Sequence, residues 1–218
     1  VFFSGCNLRC VFCQNYDIST RPDAGLIYPA EDMAALLSRL ARPKGTGSTA
    51  HAHEDVKNVN WVGGDPTPHL PYILDVLSRS HANIAQVWNS NMYLTKPALS
   101  LLDGCMDIYL TDLKFGNDAC ALRLSDAPCY MSTVTRNHIM AAAQGEVIVR
   151  HLMLPHHLEC CTLPVVDWLA DNMPGAAVNI MAQYRPAHHA WSYPELRETV
   201  SLGEHRRVLE IAEKKGLF

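Results

Sequence analysis

The stretch Val1-Phe2-Phe3-Ser4-Gly5-Cys6-Asn7-Leu8-Arg9-Cys10-Val11-Phe12-Cys13 runs from a short apolar, strand-like segment straight into a loop with three cysteines within eight residues. A strand delivering reactive side chains into the loop after it is the signature of a parallel α/β sheet, where functional residues gather at the carboxyl ends of the strands. The rest of the chain repeats this order. With Val1–Ser4, the brief β-branched runs Val56–Val62, Ile84–Asn89, Asp107–Asp112, Glu146–Met153 and Val178–Gln183 read as strands. Helical periodicity lies between them at Ala30–Leu40, Pro68–Ser80, Lys96–Leu102, Asp118–Leu124, Arg136–Ala143 and Leu163–Asn172, with a last helix near Leu202–Lys215. Six βα units predict an open (β/α)6 partial barrel, one domain over residues 1–218. The abrupt start at Val1, already inside a strand, fits a missing N-terminal segment. Pro43–Asp55 reads as a surface loop and, with the His188–Tyr193 region, as the candidate lid.

Composition narrows the function classes. Apolar residues make up 48% of the 218 and charged ones 18%, and no apolar run approaches the roughly 20 residues a spanning helix needs. A net charge of -4 supplies no basic stripe to displace counterions from a phosphate backbone, so nucleic acid is not an expected partner. No signal peptide is legible, which makes a reducing cytoplasm the expected compartment and leaves eight cysteines to be explained by something other than disulfides.

Thiolates are the ligands that iron-sulfur clusters take. Cys6, Cys10 and Cys13 supply three, with no fourth ligand at a zinc-site or ferredoxin spacing nearby. Three ligands on four irons leave one iron open to a further molecule. The second strand ends Gly63-Gly64-Asp65-Pro66, where two glycines permit close backbone approach; a strand-to-helix turn capped by Asp65 is the alternative. Later strands end at Asn89-Ser90-Asn91, at Asp112-Leu113-Lys114, and at Arg150-His151. Asp112 and Lys114 read either as site residues or as a surface ion pair.

The Cys-x3-Cys-x2-Cys loop, with aromatic Phe12 before its last cysteine, resembles the radical S-adenosylmethionine superfamily, and the whole pattern is similar to its pyruvate formate-lyase activating enzyme-like branch. The resemblance implies a [4Fe-4S] cluster on Cys6, Cys10 and Cys13 and S-adenosylmethionine chelated at the open iron. An electron from the cluster then cleaves the sulfonium to methionine and a 5'-deoxyadenosyl radical, which abstracts hydrogen from a substrate. It also implies a flavodoxin- or ferredoxin-type electron donor and, by analogy, a glycyl-radical protein as substrate. Cofactor contacts carry over to Phe12, Gln14, Gly63, Gly64, Asp65, Asn89, Asn91, Asp112, Lys114 and Arg150. The family's monovalent-cation stretch is replaced by Asn89-Ser90-Asn91-Met92, without its carboxylate. His151, Gln183 and Tyr184 are expected at the substrate mouth. A radical enzyme acting on a small molecule or peptide is the second reading, and a non-catalytic iron-sulfur or zinc module the third.

Other candidates read as packing. Cys105, Cys120 and Cys129 are expected in the core. Cys160 and Cys161 are expected as reduced, mainly packing thiols, and the pairs His51/His53, His156/His157 and His188/His189 as loop residues without a third ligand.

Overall fold

The computed structural model describes residues 1–41 and 56–217. One sheet holds six strands in chain order: β1 (Phe2–Phe3), β2 (Asn58–Gly63), β3 (Ala85–Ser90), β4 (Ile108–Asp112), β5 (Glu146–Leu152) and β6 (Ala177–Met181). Every neighbouring pair is parallel. Parallel neighbours need crossover connections, and helices occupy them. These are α1 (Tyr16–Ser19), α2 (Ala30–Leu40), α3 (Leu70–Arg79), α4 (Lys96–Ser100), α5 (Asp118–Ser125), α6 (Tyr130–Ala142) and α7 (Leu163–Asn172), with α8 (Leu202–Lys214) after β6. Among the described residues β6 pairs with β5 alone and β1 with β2 alone, so the barrel is open.

Cross-strand register builds the core. Trp61 on β2 faces Trp88 on β3, Trp88 faces Tyr109 on β4, and Tyr109 faces Val147 on β5, a row of apolar side chains buried against the helices. Each such burial stabilises by about 1.5–3 kcal/mol before entropy is counted. Two polar tips on this row are satisfied: the Trp61 indole donates to Gln86 and the Tyr109 hydroxyl to Gln144.

Several expectations are corrected. Helix α6 begins at Tyr130, not Arg136. Helix α1 and a π-helical turn at Leu158–Thr162 have no periodic signal in the sequence. Strand β6 stops at Met181, before Gln183. Cys129 is exposed and Cys105 and Cys120 only half-buried, because each sits at a helix or turn boundary. The Pro43–Asp55 loop, with His51 and His53, lies outside the described residues. Among the described residues no helix is long and apolar enough to cross a membrane.

Candidate active site

A cavity of about 770 Å³ opens at the carboxyl ends of the strands, within the size range of ligand pockets. Cys6, Cys10 and Cys13 line it and are each partly exposed, in a loop held by backbone bonds from Arg9 N to Ser125 O, Val11 N to Leu124 O and His189 N to Val11 O. The Cys6 sulfur accepts from Leu8 N at 3.4 Å and from the Asn91 amide at 3.7 Å. Cys13 reaches the Ser19 hydroxyl at 3.4 Å. Burial pushes the Cys6 thiol up to about 11 and Cys10 up to about 12, the nearby Lys114 charge pulling the other way. Bare thiolates are therefore disfavoured there and a thiolate-binding cation would supply the missing charge. Three soft donors on one loop, facing a cavity larger than any single ion, fit a [4Fe-4S] cluster.

The glycines act on the protein before they act on any ligand. Gly63 has φ +143, and a Cβ there would overlap the backbone of Phe3; one at Gly64 would overlap the carbonyl of Gly5. They let β2 close against the start of the cysteine loop, where Gly64 N donates to Phe3 O and Asp65 N to Gly5 O. The Asp65 carboxylate is 2% exposed and already engaged, accepting from Thr67 N at 2.9 Å, Ser90 Oγ at 3.3 Å and Asn91 N at 2.8 Å. It caps the turn and also ties the end of β2 to the end of β3.

Across the cavity Asp112 and Arg150 are register partners on β4 and β5. Arg150 Nε donates to Asp112 Oδ1 at 2.8 Å, Lys114 Nζ to Asp112 Oδ2 at 2.7 Å, and an Arg150 Nη to Asn89 Oδ1 at 2.7 Å. These side chains are 21–25% exposed, so they form a partly enclosed triad, not a surface ion pair. Burial opposes its charges, yet Lys114 and Arg150 hold the Asp112 carboxyl below its ordinary value, and Asp112 holds Lys114 protonated. Two cations against one anion leave a net positive spot, suited to a carboxylate. Asn91 donates to Asn7 Oδ1 at 2.8 Å and accepts from Tyr93 N, so the Asn89 and Asn91 oxygens both have partners.

Thus the cavity brings together every expected cluster and cofactor residue, including Phe12 and Gln14, but none of the three assigned to the mouth. His151 follows Arg150, and the strand's two-residue alternation turns it to the opposite, helix-covered face. It is 1% exposed, its Nδ1 donating to Leu113 O and its Nε2 accepting from the Thr162 hydroxyl. Tyr184 is buried with its hydroxyl on Leu196 O. Gln183 lies past the end of β6 and gives only its carbonyl to Gln14. In their place His188 and His189 line the cavity, His188 stacked on Tyr16. No periodicity marks them; only their position after the sixth strand could have.

The architecture is that of a partial-barrel enzyme carrying a cysteine loop at its mouth. The chain matches the radical SAM superfamily over residues 1–169 and belongs to it. It is 45% identical over 223 residues to an uncharacterized protein of Methanocaldococcus jannaschii, covering 100% of this chain and 62% of that relative's length. Its fold is similar to Streptococcus suis SuiB bound to S-adenosylmethionine (TM-score 0.66, 15% identity, 97% of this chain and 45% of that one). It is also similar to a domain of pyruvate-formate lyase-activating enzyme from Bacteroides vulgatus (TM-score 0.57, 19% identity, 73% and 94%). Members of this superfamily use a [4Fe-4S] cluster and S-adenosylmethionine, and the residues gathered at this cavity fit both.

Proposed function

We propose that this chain reductively cleaves S-adenosylmethionine and uses the resulting 5'-deoxyadenosyl radical to abstract hydrogen from a peptide or protein segment. When bound at Cys6, Cys10 and Cys13, the cluster supplies the electron and an open iron for the cofactor's amino and carboxylate groups. The chain's own residues bind and orient: the Asp112–Lys114–Arg150 triad offers net positive charge to a carboxylate, and Gly63 and Gly64 bring backbone to the cavity edge. The observation that carries the reading is the convergence of three partly exposed thiols and this triad on one cavity.

A polypeptide substrate is favoured because, among the described residues, the loop thiols at the cavity stay partly exposed. Among the structures of similar fold, SuiB has been seen bound to its precursor peptide SuiA. A glycyl-radical protein is one member of that class, with a flavodoxin- or ferredoxin-type donor in the cytoplasm as the electron source. The test is anaerobic reconstitution with iron and sulfide, then dithionite and S-adenosylmethionine, with 5'-deoxyadenosine quantified. Its formation separates an enzyme from a non-catalytic iron-sulfur or zinc module. Deuterium transferred into it from a labelled peptide supports a polypeptide substrate, and transfer only from a small metabolite contradicts one.

A further inference from the structure

Cys120, His157, Cys160 and Cys161 come from two segments about forty residues apart and meet with all four donor atoms within 4.8 Å of one another. None lines the cavity described above. Cys120 stands in the first turn of α5, His157 in the loop after β5, and the two adjacent cysteines in the π-helical turn. That turn matters. Its N–H groups at Cys161 and Thr162 both bond His157 O, which turns neighbouring sulfurs onto one side, 3.9 Å apart.

Five of the six donor separations are close to those of a tetrahedron around one ion, and the sixth, between the Cys120 and Cys161 sulfurs, lies within 4.8 Å. Zinc bonds of about 2.3 Å to sulfur and about 2.0–2.1 Å to nitrogen at tetrahedral angles separate sulfurs by about 3.8 Å and sulfur from nitrogen by about 3.6 Å. Here Cys120 and Cys160 sulfurs lie 3.9 Å apart, as do Cys160 and Cys161. His157 Nδ1 is 3.6, 3.2 and 3.9 Å from Cys120, Cys160 and Cys161. A four-iron cluster holds its thiolates farther apart than this. Simple thiol-to-imidazole hydrogen bonding accounts for the geometry poorly, since one Nδ1 lone pair cannot serve three S–H donors. Asn117 adds the outer contacts expected of metal-bound thiolates: its amide donates to Cys120 Sγ at 3.3 Å and Cys161 Sγ at 3.7 Å, and to Cys160 O at 2.7 Å.

We infer that Cys120, His157, Cys160 and Cys161 form a closed site of three thiolates and one imidazole for a single zinc-class divalent ion, separate from the radical site. On binding, the three thiols each release a proton to solvent and His157 ligates through neutral Nδ1, leaving a complex of net charge -1. With four protein ligands and no open position, the ion is structural. It clamps the start of α5 to the loop after β5, where a Cβ on Gly116 would meet the Cys161 backbone, behind the strand ends that carry Asp112, Lys114 and Arg150.

The test uses the full chain with Cys6, Cys10 and Cys13 all replaced by Ala, so that no cluster competes, loaded with zinc alone and, separately, with cobalt(II). Elemental analysis after desalting is expected to find one zinc per chain. Cobalt is expected to give the intense ligand-field absorption of a tetrahedral thiolate site. Adding Cys160→Ser or His157→Gln is expected to weaken zinc binding at least about tenfold. Cys160 is exposed, so its variant remains informative if a buried Cys161 change prevents folding. No retained zinc in the parent, a weak octahedral cobalt spectrum, or undiminished binding in both variants would each overturn the site.

Discussion

Two thiol-rich regions sit at the same end of the sheet and are built in opposite ways. Cys6, Cys10 and Cys13 stand on one short loop, partly exposed, spread around a large cavity beside a charged triad. Cys120, Cys160 and Cys161 are delivered by separate elements to one histidine, packed within a single ion's reach and away from that cavity. An open set with a cavity in front of it suits chemistry on a further molecule; a closed set suits bracing. Cysteine content alone therefore says little about role, while donor spacing and what lies in front of the donors say a great deal.

The largest effect that would break this contrast comes from the loop thiols. Cys10→Ala is expected to bring 5'-deoxyadenosine formation to background and strip the cluster iron while leaving bound zinc unchanged; loss of both metals together would mean one shared site. Next comes the seam between the regions, where His151 bonds Leu113 beside Lys114 and Thr162 beside Cys161. Burial lowers His151 and the buried His138 from 6.5 to about 4, so both are neutral in the folded chain. The unfolded chain takes up these protons first as pH falls. Their stabilisation is thus complete above 6.5 and lost on descending toward about 4, about 3 kcal/mol for each. Urea midpoints across that window are the measurement, and a flat profile contradicts the assignment.

Arg150→Ala is expected to weaken S-adenosylmethionine binding roughly ten- to a hundredfold, the cost of one charge-assisted contact of about 1.5–3 kcal/mol. Calorimetry on reconstituted protein reads it directly, and equal affinity removes Arg150 from the cofactor site. The smallest effect is expected at Asp126, whose ion pair with Arg9 is mostly exposed. Asp126→Asn keeps a residue tolerant of the left-handed backbone at φ 54. Iron loading should not change and unfolding should shift by less than about 1 kcal/mol, because backbone bonds, not this pair, hold the cysteine loop.

What could be read beforehand follows the range of the interactions. Helices α2 and α7 lie where their apolar periodicity put them, since the pattern is local. The Cys6–Cys13 loop was legible for the same reason. The start of α6 was not: Cys129 at φ 52 offers no side-chain cap, and Ser132, Thr133 and Thr135 break the apolar pattern. Strand-end position put Arg150 at the cavity wall but not His151, because sequence position alone does not say which face of the sheet a residue takes. The second thiol set depends on a π turn and on a contact between residues 120 and 157, and neither leaves a local trace.

The claim that the loop thiols hold a cluster with an iron open to the cofactor is tested most directly by electron paramagnetic resonance of the dithionite-reduced, reconstituted chain before and after S-adenosylmethionine is added. The expected result is a reduced [4Fe-4S] signal whose shape changes on addition in the wild type and in Cys160→Ser alike, and which is absent from the Cys6→Ala variant. A signal unmoved by S-adenosylmethionine, or one that persists without Cys6, would contradict it.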